Sequence, residues 1–436
     1  MKLFNLTLKL NGFPVDETKK VYDEILKVSE SDYAAFTEKR KKEIVEFHLK
    51  NNVFYKDLVG KDSFKKWEEL PVLTKKNLQQ PIENRLSKGY NIKNVFVNKT
   101  SGSSGDPFVF AKDKRAHAIT WNSIINKFGW FDIDFNTDKQ ARFYGIPLDK
   151  KGYYKERIKD FFSNRYRFPI FNLDDAFLAK VLKKFESTAF DYINGYTSSV
   201  VLFAKYLKSQ NVVLKDVCPS LKTCFVTSEM LFEDDKHLME QYFGVQVINE
   251  YGASELDLIA FENPEGKFAL NTETLFIEIL DSNNKPVENG KEGKIVITSL
   301  YNKAHPFIRY EIGDVGIIDE TSNAKTSYLK KLTGRTSDIA KLPSGKIVPG
   351  LTFYYVTKSV IKDDGNVKEF IVKQTKLDTF EIEYVADNKL NNKEEEAIIQ
   401  AGNAYLEPNL HYIFAKKDVL TRTSRGKLKQ FQSLIN

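Results

Sequence analysis

The residues best suited to chemistry in this chain are small, acidic or isolated and basic. The run KTSGSSGDPFVF, Lys99–Phe110, places Thr100, Ser101, Gly102, Ser103, Ser104 and Gly105 side by side. Backbone N–H groups of such a loop can converge on an anion, because glycine permits unusual φ values and the hydroxyls add donors. A plain connector has the same composition. The G-x-x-x-x-G-K-[ST] phosphate loop is absent, so a phosphate-binding reading depends on what stands beside this run.

Four other stretches supply partners. INEYGASELD sets Glu255 just past an expected strand, beside Tyr251, Gly252 and Ser254. An acid there can hold Mg²⁺, and the Gly–Ala turn leaves room for a flat base; a solvated loop acid is the plain alternative. FIRYEIGDVG sets Asp314 after a glycine, where a carboxylate can accept from two ribose hydroxyls or merely serve a β-turn. LTGRTSDIAKLPSGKIV sets Arg335 and Asp338 in an expected loop at a domain boundary. TRTSRGKLKQF sets Lys427 in a glycine-containing loop, where a basic tail would look alike.

The elements that must hold these residues change along the chain. Val21, Ile25 and Val28, then Ile44, Phe47 and His48, recur at helical spacing, and Thr74 after Pro71 is the expected N-cap of a further helix. VFVNKT and FVFA alternate like strands on either side of the Gly/Ser run, which predicts a hairpin around it. Next, HAITWNSIINKFGWF, DDAFLAKVLKKFES (capped by Asp174 or Asp175), SSVVLFAKYLKSQ and FEDDKHLMEQYFG (ended by Gly244) read as helices. They interleave with the expected strands DYINGY, SLKTCFVTSE and VQVINEYGASE. That alternation predicts an α/β architecture with a largely parallel sheet. From Phe268 the chain turns to β structure, and the last hundred or so residues carry strands and one helix. Two domains are expected: a large one over 1–335, with a helical segment about 1–95, and a small α+β one over 336–436.

Composition narrows the function classes. Sixty-six Lys and Arg stand against 59 Asp and Glu, a net +7 spread without a basic block, which argues against nucleic acid as a partner. Two cysteines, Cys218 and Cys224, make no disulfide framework and read as reduced thiols. No apolar run reaches membrane-spanning length, the start lacks a signal-peptide pattern, and a cytoplasmic protein is expected. His48, His117, His237, His305 and His411 show no ligand spacing, and His305 reads as structural.

Taken in order, TSGSSGDP, YGASE, RYEIGD, GRTSD and RGK resemble the motif series of the AMP-forming adenylating enzymes, most closely the phenylacetate–CoA ligase and CapK-like branch. NNVFYKDL, ELPVLTKKNL and GKIVITSL fit the same pattern, and the resemblance covers nearly the whole chain. It implies a large N-terminal domain of layered sheets and helices with a small mobile C-terminal domain. It also implies activation of a carboxylic acid by ATP and Mg²⁺, followed by acyl transfer to a thiol, most simply CoA. By this resemblance Thr100–Gly105 cradle the β- and γ-phosphates, Glu255 holds Mg²⁺ and Ser254 faces the α-phosphate. Tyr251, Gly252 and Ala253 lie against adenine, Asp314 binds ribose with Arg335 near it, and Lys427 bridges the carboxylate and α-phosphate. Tyr144, Tyr196 and Met230 are candidates for the acid pocket, with ordinary core packing the alternative for each. Phe108 stands where many such enzymes carry lysine, and Ser337, followed by Asp338, stands where the hinge aspartate is usual. An amine acceptor (an amino sugar in surface-polysaccharide synthesis) and a carrier-protein acceptor remain open. So do a non-catalytic nucleotide-binding protein and the oligomeric state.

Overall fold

The computed structural model describes residues 3–60, 64, 66–99, 108–146, 150–170, 173–335, 339–350, 352–358, 367–422 and 428–435. Thr100–Gly105, Ser337, Asp338 and Lys427 lie outside the described residues. The N-terminal part is helical, over Leu3–Leu10, Val15–Lys27, Glu30–Asn51 and Val53–Val59. Ser29 and Asn52 cap the last two by accepting from Asp32 N and Tyr55 N, which satisfies backbone donors that a helix start leaves open. The helix expected after Thr74 does not form; residues 75–78 make a single turn. Thr74 N donates to Asn77 Oδ1 at 2.8 Å, and Pro81 follows too soon for a helix to propagate.

Strands β1 (Val95–Lys99) and β2 (Val109–Asp113) pair antiparallel, with Lys99 opposite Val109, so the Gly/Ser run joins the two arms of a hairpin as expected. The central sheet has seven strands: β3 (Gln140–Phe143), β4 (Arg165–Phe168), β5 (Tyr192–Tyr196), β6 (Thr223–Thr227), β7 (Gln246–Ala253), β8 (Asp257–Glu262) and β9 (Phe268–Leu270). Their order is β4-β3-β5-β6-β7-β8-β9. The first five run parallel, and β8 and β9 turn back antiparallel. Ile193, Cys224, Val226 and Val247 bury one face beneath helices Asp175–Glu186, Thr197–Ser209 and Glu233–Phe243. Tyr192, Phe225 and Ile248 bury the other beneath Phe128 of helix Lys114–Gly129. Helices on both faces are what a parallel sheet requires. Asp174 is the cap its sequence predicts, accepting from Phe177 N, and Gly244 ends its helix at φ 69°.

A second sheet holds β10 (Leu275–Leu280), β11 (Glu292–Ser299), β12 (Tyr310–Ile318) and β13 (Leu329–Arg335), all antiparallel. Arg335, expected in a loop, ends β13 opposite Asp314. Next come the short pair β14 (Ile339–Lys341) and β15 (Ile347–Pro349). A final sheet is ordered β18-β17-β16-β19, over β16 (Val367–Lys376), β17 (Thr379–Ala386), β18 (His411–Lys416) and β19 (Phe431–Ser433). With helix Asn392–Tyr405, started by an Asn391–Glu394 capping box, it encloses its own core of Phe353, Val372, Phe380, Ile398 and Phe431. Among the described residues, no helix is long and apolar enough to cross a membrane.

Candidate active site

Two of the motifs read from the sequence meet in space. β7 runs through Tyr251, Gly252 and Ala253, past the point where the sequence suggests a loop, and Ser254–Leu256 form the turn into β8. The reversal is tight. Asp257 takes φ 59°, a left-handed value uncommon for a residue with a side chain, and a Cβ on Gly252 would lie 2.5 Å from the Asp257 carbonyl oxygen. The turn is braced from β2. Lys112 Nζ donates to the Ser254 carbonyl at 3.1 Å and pairs with Asp257 at 2.6 Å. Burial pushes the Asp257 carboxyl up, but Lys112 and His117 outweigh it and hold the group at about 2.

Glu255 projects from this turn and is buried, and Tyr310 donates its hydroxyl to Oε1 at 3.0 Å. Tyr251 donates to Asp314 Oδ2 at 2.6 Å, so the YGASE and RYEIGD motifs are joined twice. Gly313, at φ 88°, precedes Asp314 inside β12. Hence Asp314 is a strand residue rather than a turn residue. β12 is held in turn by the Pro71 segment: Leu73 N donates to Arg309 O and Glu311 N to Leu73 O, both at 2.8 Å. Arg309 is buried, with Nη1 donating to Leu70 O at 2.8 Å and Nε lying 3.5 Å from Glu278. The arginine of RYEIGD therefore ties the N-terminal segment to the sheet that carries Asp314.

The acid-pocket candidates lie at the C-terminal ends of adjacent parallel strands, where open α/β sheets bind ligands. Tyr196 ends β5, Tyr144 follows β3, and their rings stack obliquely at 4.4 Å. Met230, half-buried, lies three residues beyond β6. Charged side chains, not singled out by their sequence context, adjoin this pair. Arg142 stands 4.0 Å from the Tyr144 ring centroid, and Thr227 donates to Glu250 Oε1 at 3.1 Å. Burial raises the Glu250 carboxyl above the usual range, against Thr227 and Arg142. The missed signal is an ionic residue inside a short strand, Arg142 in QARF and Glu250 in QVINEYGA.

Other expectations land in the core. Phe108 is fully buried among Phe110, Phe307 and Tyr310. His305 is buried against Arg85 Nη1 at 2.6 Å, and burial and the Arg85 charge hold it well below the usual imidazole value. Cys218 and Cys224 are free and buried. Among the described residues no three His, Cys, Asp or Glu side chains gather as a metal cage. One buried carboxylate, Glu255, fits an ion that arrives on a phosphate, since Mg²⁺ usually takes one or two carboxylates with substrate oxygens.

This architecture is that of the adenylate-forming ligases. The chain superposes on 2-hydroxyisobutyryl-CoA ligase in its postadenylation state, in complex with 2-HIB-AMP, with a TM-score of 0.68 and 15% identity over 90% of this chain and 87% of that one. It also superposes on the amide bond synthetase McbA from Marinactinospora thermotolerans, with a TM-score of 0.54 and 15% identity over 77% and 67% of the two chains. Among curated proteins it is similar to Protein CapK of Staphylococcus aureus, 24% identical over 365 residues, covering 79% of this chain and 78% of that protein. No family model matches the chain.

Proposed function

We propose that this protein is an AMP-forming ligase that activates a small carboxylic acid with ATP and passes the acyl group to CoA, in the manner of the phenylacetate–CoA ligases. The observation that carries this reading is the double link of Tyr310 to Glu255 and Tyr251 to Asp314. It brings the acid assigned to the metal and the acid assigned to the ribose together where β7 of the central sheet meets β12 of the second sheet. The acid's carboxylate oxygen attacks the α-phosphorus as the bond to pyrophosphate breaks; a thiol then attacks the acyl carbon and AMP leaves. Thr100–Gly105 bind the outer phosphates, Ser254 faces the α-phosphate, Gly252 and Ala253 border the adenine, and Asp314, near Arg335, holds the ribose. Glu255 would hold Mg²⁺, which would supply charge neutralisation at the phosphates. Lys427 stabilises the charge developing between carboxylate and α-phosphate. Residues 336–436 act as a small mobile domain, with the hinge at Ser337 or Asp338.

Tyr144, Tyr196 and Met230 line the acid's binding site, where the Tyr144–Tyr196 pair favours a flat or aromatic acid. A second reading keeps the first half-reaction and gives the acyl group to an amine. The similarity to an amide bond synthetase favours it. Acid-dependent pyrophosphate release from ATP and Mg²⁺ over a mixed acid library, with Lys427→Ala in parallel, tests the shared first step. Release with one acid class, lost in the variant, supports it; no release with any acid despite ATP binding overturns it. CoA, a carrier protein and an amino sugar, each supplied with the active acid, then separate the acceptors.

A further inference from the structure

Glu229, in the loop after β6, makes two charge-assisted hydrogen bonds that point in opposite directions along the chain. Its Oε2 accepts from Ser198 N at 2.7 Å, at the start of helix Thr197–Ser209, and its Oε1 accepts from Leu428 N at 2.8 Å. That helix has no capping side chain of its own, because its N-cap position is Tyr196, so Glu229 serves as a cap from a distance. The second bond has no such local purpose. Leu428 is buried beside Ile371 of the C-terminal sheet and follows Lys427 in sequence. One residue earlier, Ser228 takes a left-handed φ of 72°, a value uncommon for a residue with a side chain.

More polar contacts join the same two surfaces. Arg422, held within the C-terminal part by pairing through Nη2 with Glu369 of β16, donates from Nη1 across to Ser198 Oγ at 3.2 Å. Lys205 Nζ donates to Lys368 O at 3.2 Å, and Lys368 Nζ lies 3.6 Å from Asp175. Polar contacts of this kind suit surfaces that separate and re-form better than an apolar seam would.

We infer that Glu229 is a positioning residue: its carboxylate fixes the backbone next to Lys427 against the helix start at Ser198, and so sets the pose of the C-terminal sheet for the first half-reaction. The inference rests on the proposed adenylation reading and adds a residue to it. On the proposed movement of residues 336–436 between the two half-reactions, acyl transfer does not use the Glu229–Leu428 bond.

The test compares Glu229→Ala and Arg422→Gln with the wild-type full chain. Arg422→Gln leaves the helix cap intact, so an effect shared by both variants is not a capping defect. Acid-dependent pyrophosphate release is expected to fall at least tenfold in both, while AMP release from supplied acyl-adenylate with the acceptor stays within about twofold. Equal losses in both half-reactions, or a wild-type rate of pyrophosphate release in Glu229→Ala, overturn the inference. Hydrogen exchange of the peptide containing Leu428 is a second readout that needs no substrate. Faster exchange in Glu229→Ala supports the docking, and unchanged exchange overturns it. A wild-type chain that releases no pyrophosphate with any acid counts against the adenylation reading, and the exchange result then decides the docking alone.

Discussion

The Tyr251 hydroxyl donates to Asp314 Oδ2 at 2.6 Å, joining two residues 63 positions apart on different sheets. A carboxylate that is to accept from vicinal hydroxyls must be held in one rotamer, and a short bond to one oxygen does that. Tyr251→Phe removes the bond and keeps the ring. A hydrogen bond to a charged group contributes about 1.5–3 kcal/mol. ATP affinity measured by calorimetry is therefore expected to fall on the order of tenfold or more, and thermal stability to fall modestly with the lost bond. An unchanged affinity would mean that Asp314 is oriented by something else or does not meet the nucleotide.

Glu255 is oriented in the same way, with Tyr310 on Oε1. Glu255→Gln keeps the size and a hydrogen-bond acceptor but removes the charge. If the acid serves to hold Mg²⁺, pyrophosphate release is expected to drop roughly 10²–10³-fold, as losses of charge stabilisation at a reacting phosphate do. ATP binding without Mg²⁺ should change little. Titrating MgCl₂ in the release assay checks the assignment, because the variant should need more metal to reach its maximum.

The parts of this architecture that were legible in the sequence are those written in local pattern. Alternation on both sides of the Gly/Ser run gives the β1–β2 hairpin, and helical spacing with Asp174 and Gly244 gives helices with the right ends. What failed depended on distant partners. The helix after Thr74 has an N-cap residue, but Leu73 is committed to a bridge with Tyr310, more than 200 positions away, and Pro81 closes the other side. Gly252 reads as a turn residue, yet it belongs to β7, because the reversal into β8 needs a residue with no Cβ facing Asp257. Glu229, Glu250 and Arg142 look like unremarkable charges until strand register brings Thr227 opposite Glu250 and the helix start at Ser198 beside Glu229.

Phe108 occupies the place where related motifs often carry lysine, and its surroundings have no place for one. The ring is fully buried, 6.4 Å from the Tyr310 ring and with the Arg85 guanidinium 5.3 Å from its centroid. An ammonium group here would be desolvated and would face a like charge. Phe108→Lys is expected to destabilise the protein by on the order of 3 kcal/mol or more, and Phe108→Leu by about 1 kcal/mol. Urea unfolding of the three proteins checks this. A soluble Phe108→Lys variant of wild-type stability would mean that the site opens to solvent or nucleotide.

His48 predicts how stability varies with pH. It is buried, its Nε2 donates to Asn302 O at 3.0 Å, and the Ser87 hydroxyl lies 3.2 Å from Nδ1, an arrangement that suits the neutral ring. Burial, with Lys303 adding to it and the Asn302 bond opposing, lowers the imidazole from 6.5 to about 4. The unfolded chain therefore binds this proton more readily than the folded one. Its contribution is fully present above pH 6.5 and is lost as pH falls toward 4. The difference corresponds to roughly 3 kcal/mol over that window. His305, also held low and adjacent in charge to His48, adds to the slope in the same direction. His48→Gln removes one titrating group and leaves the other. The variant is expected to be less stable than wild type at pH 8, yet to lose less stability between pH 6.5 and pH 4. Urea midpoints across that range give the two slopes. Equal slopes would mean that the His48 ring is charged in the fold or reached by water, and that its bonds to Asn302 and Ser87 do not hold it neutral.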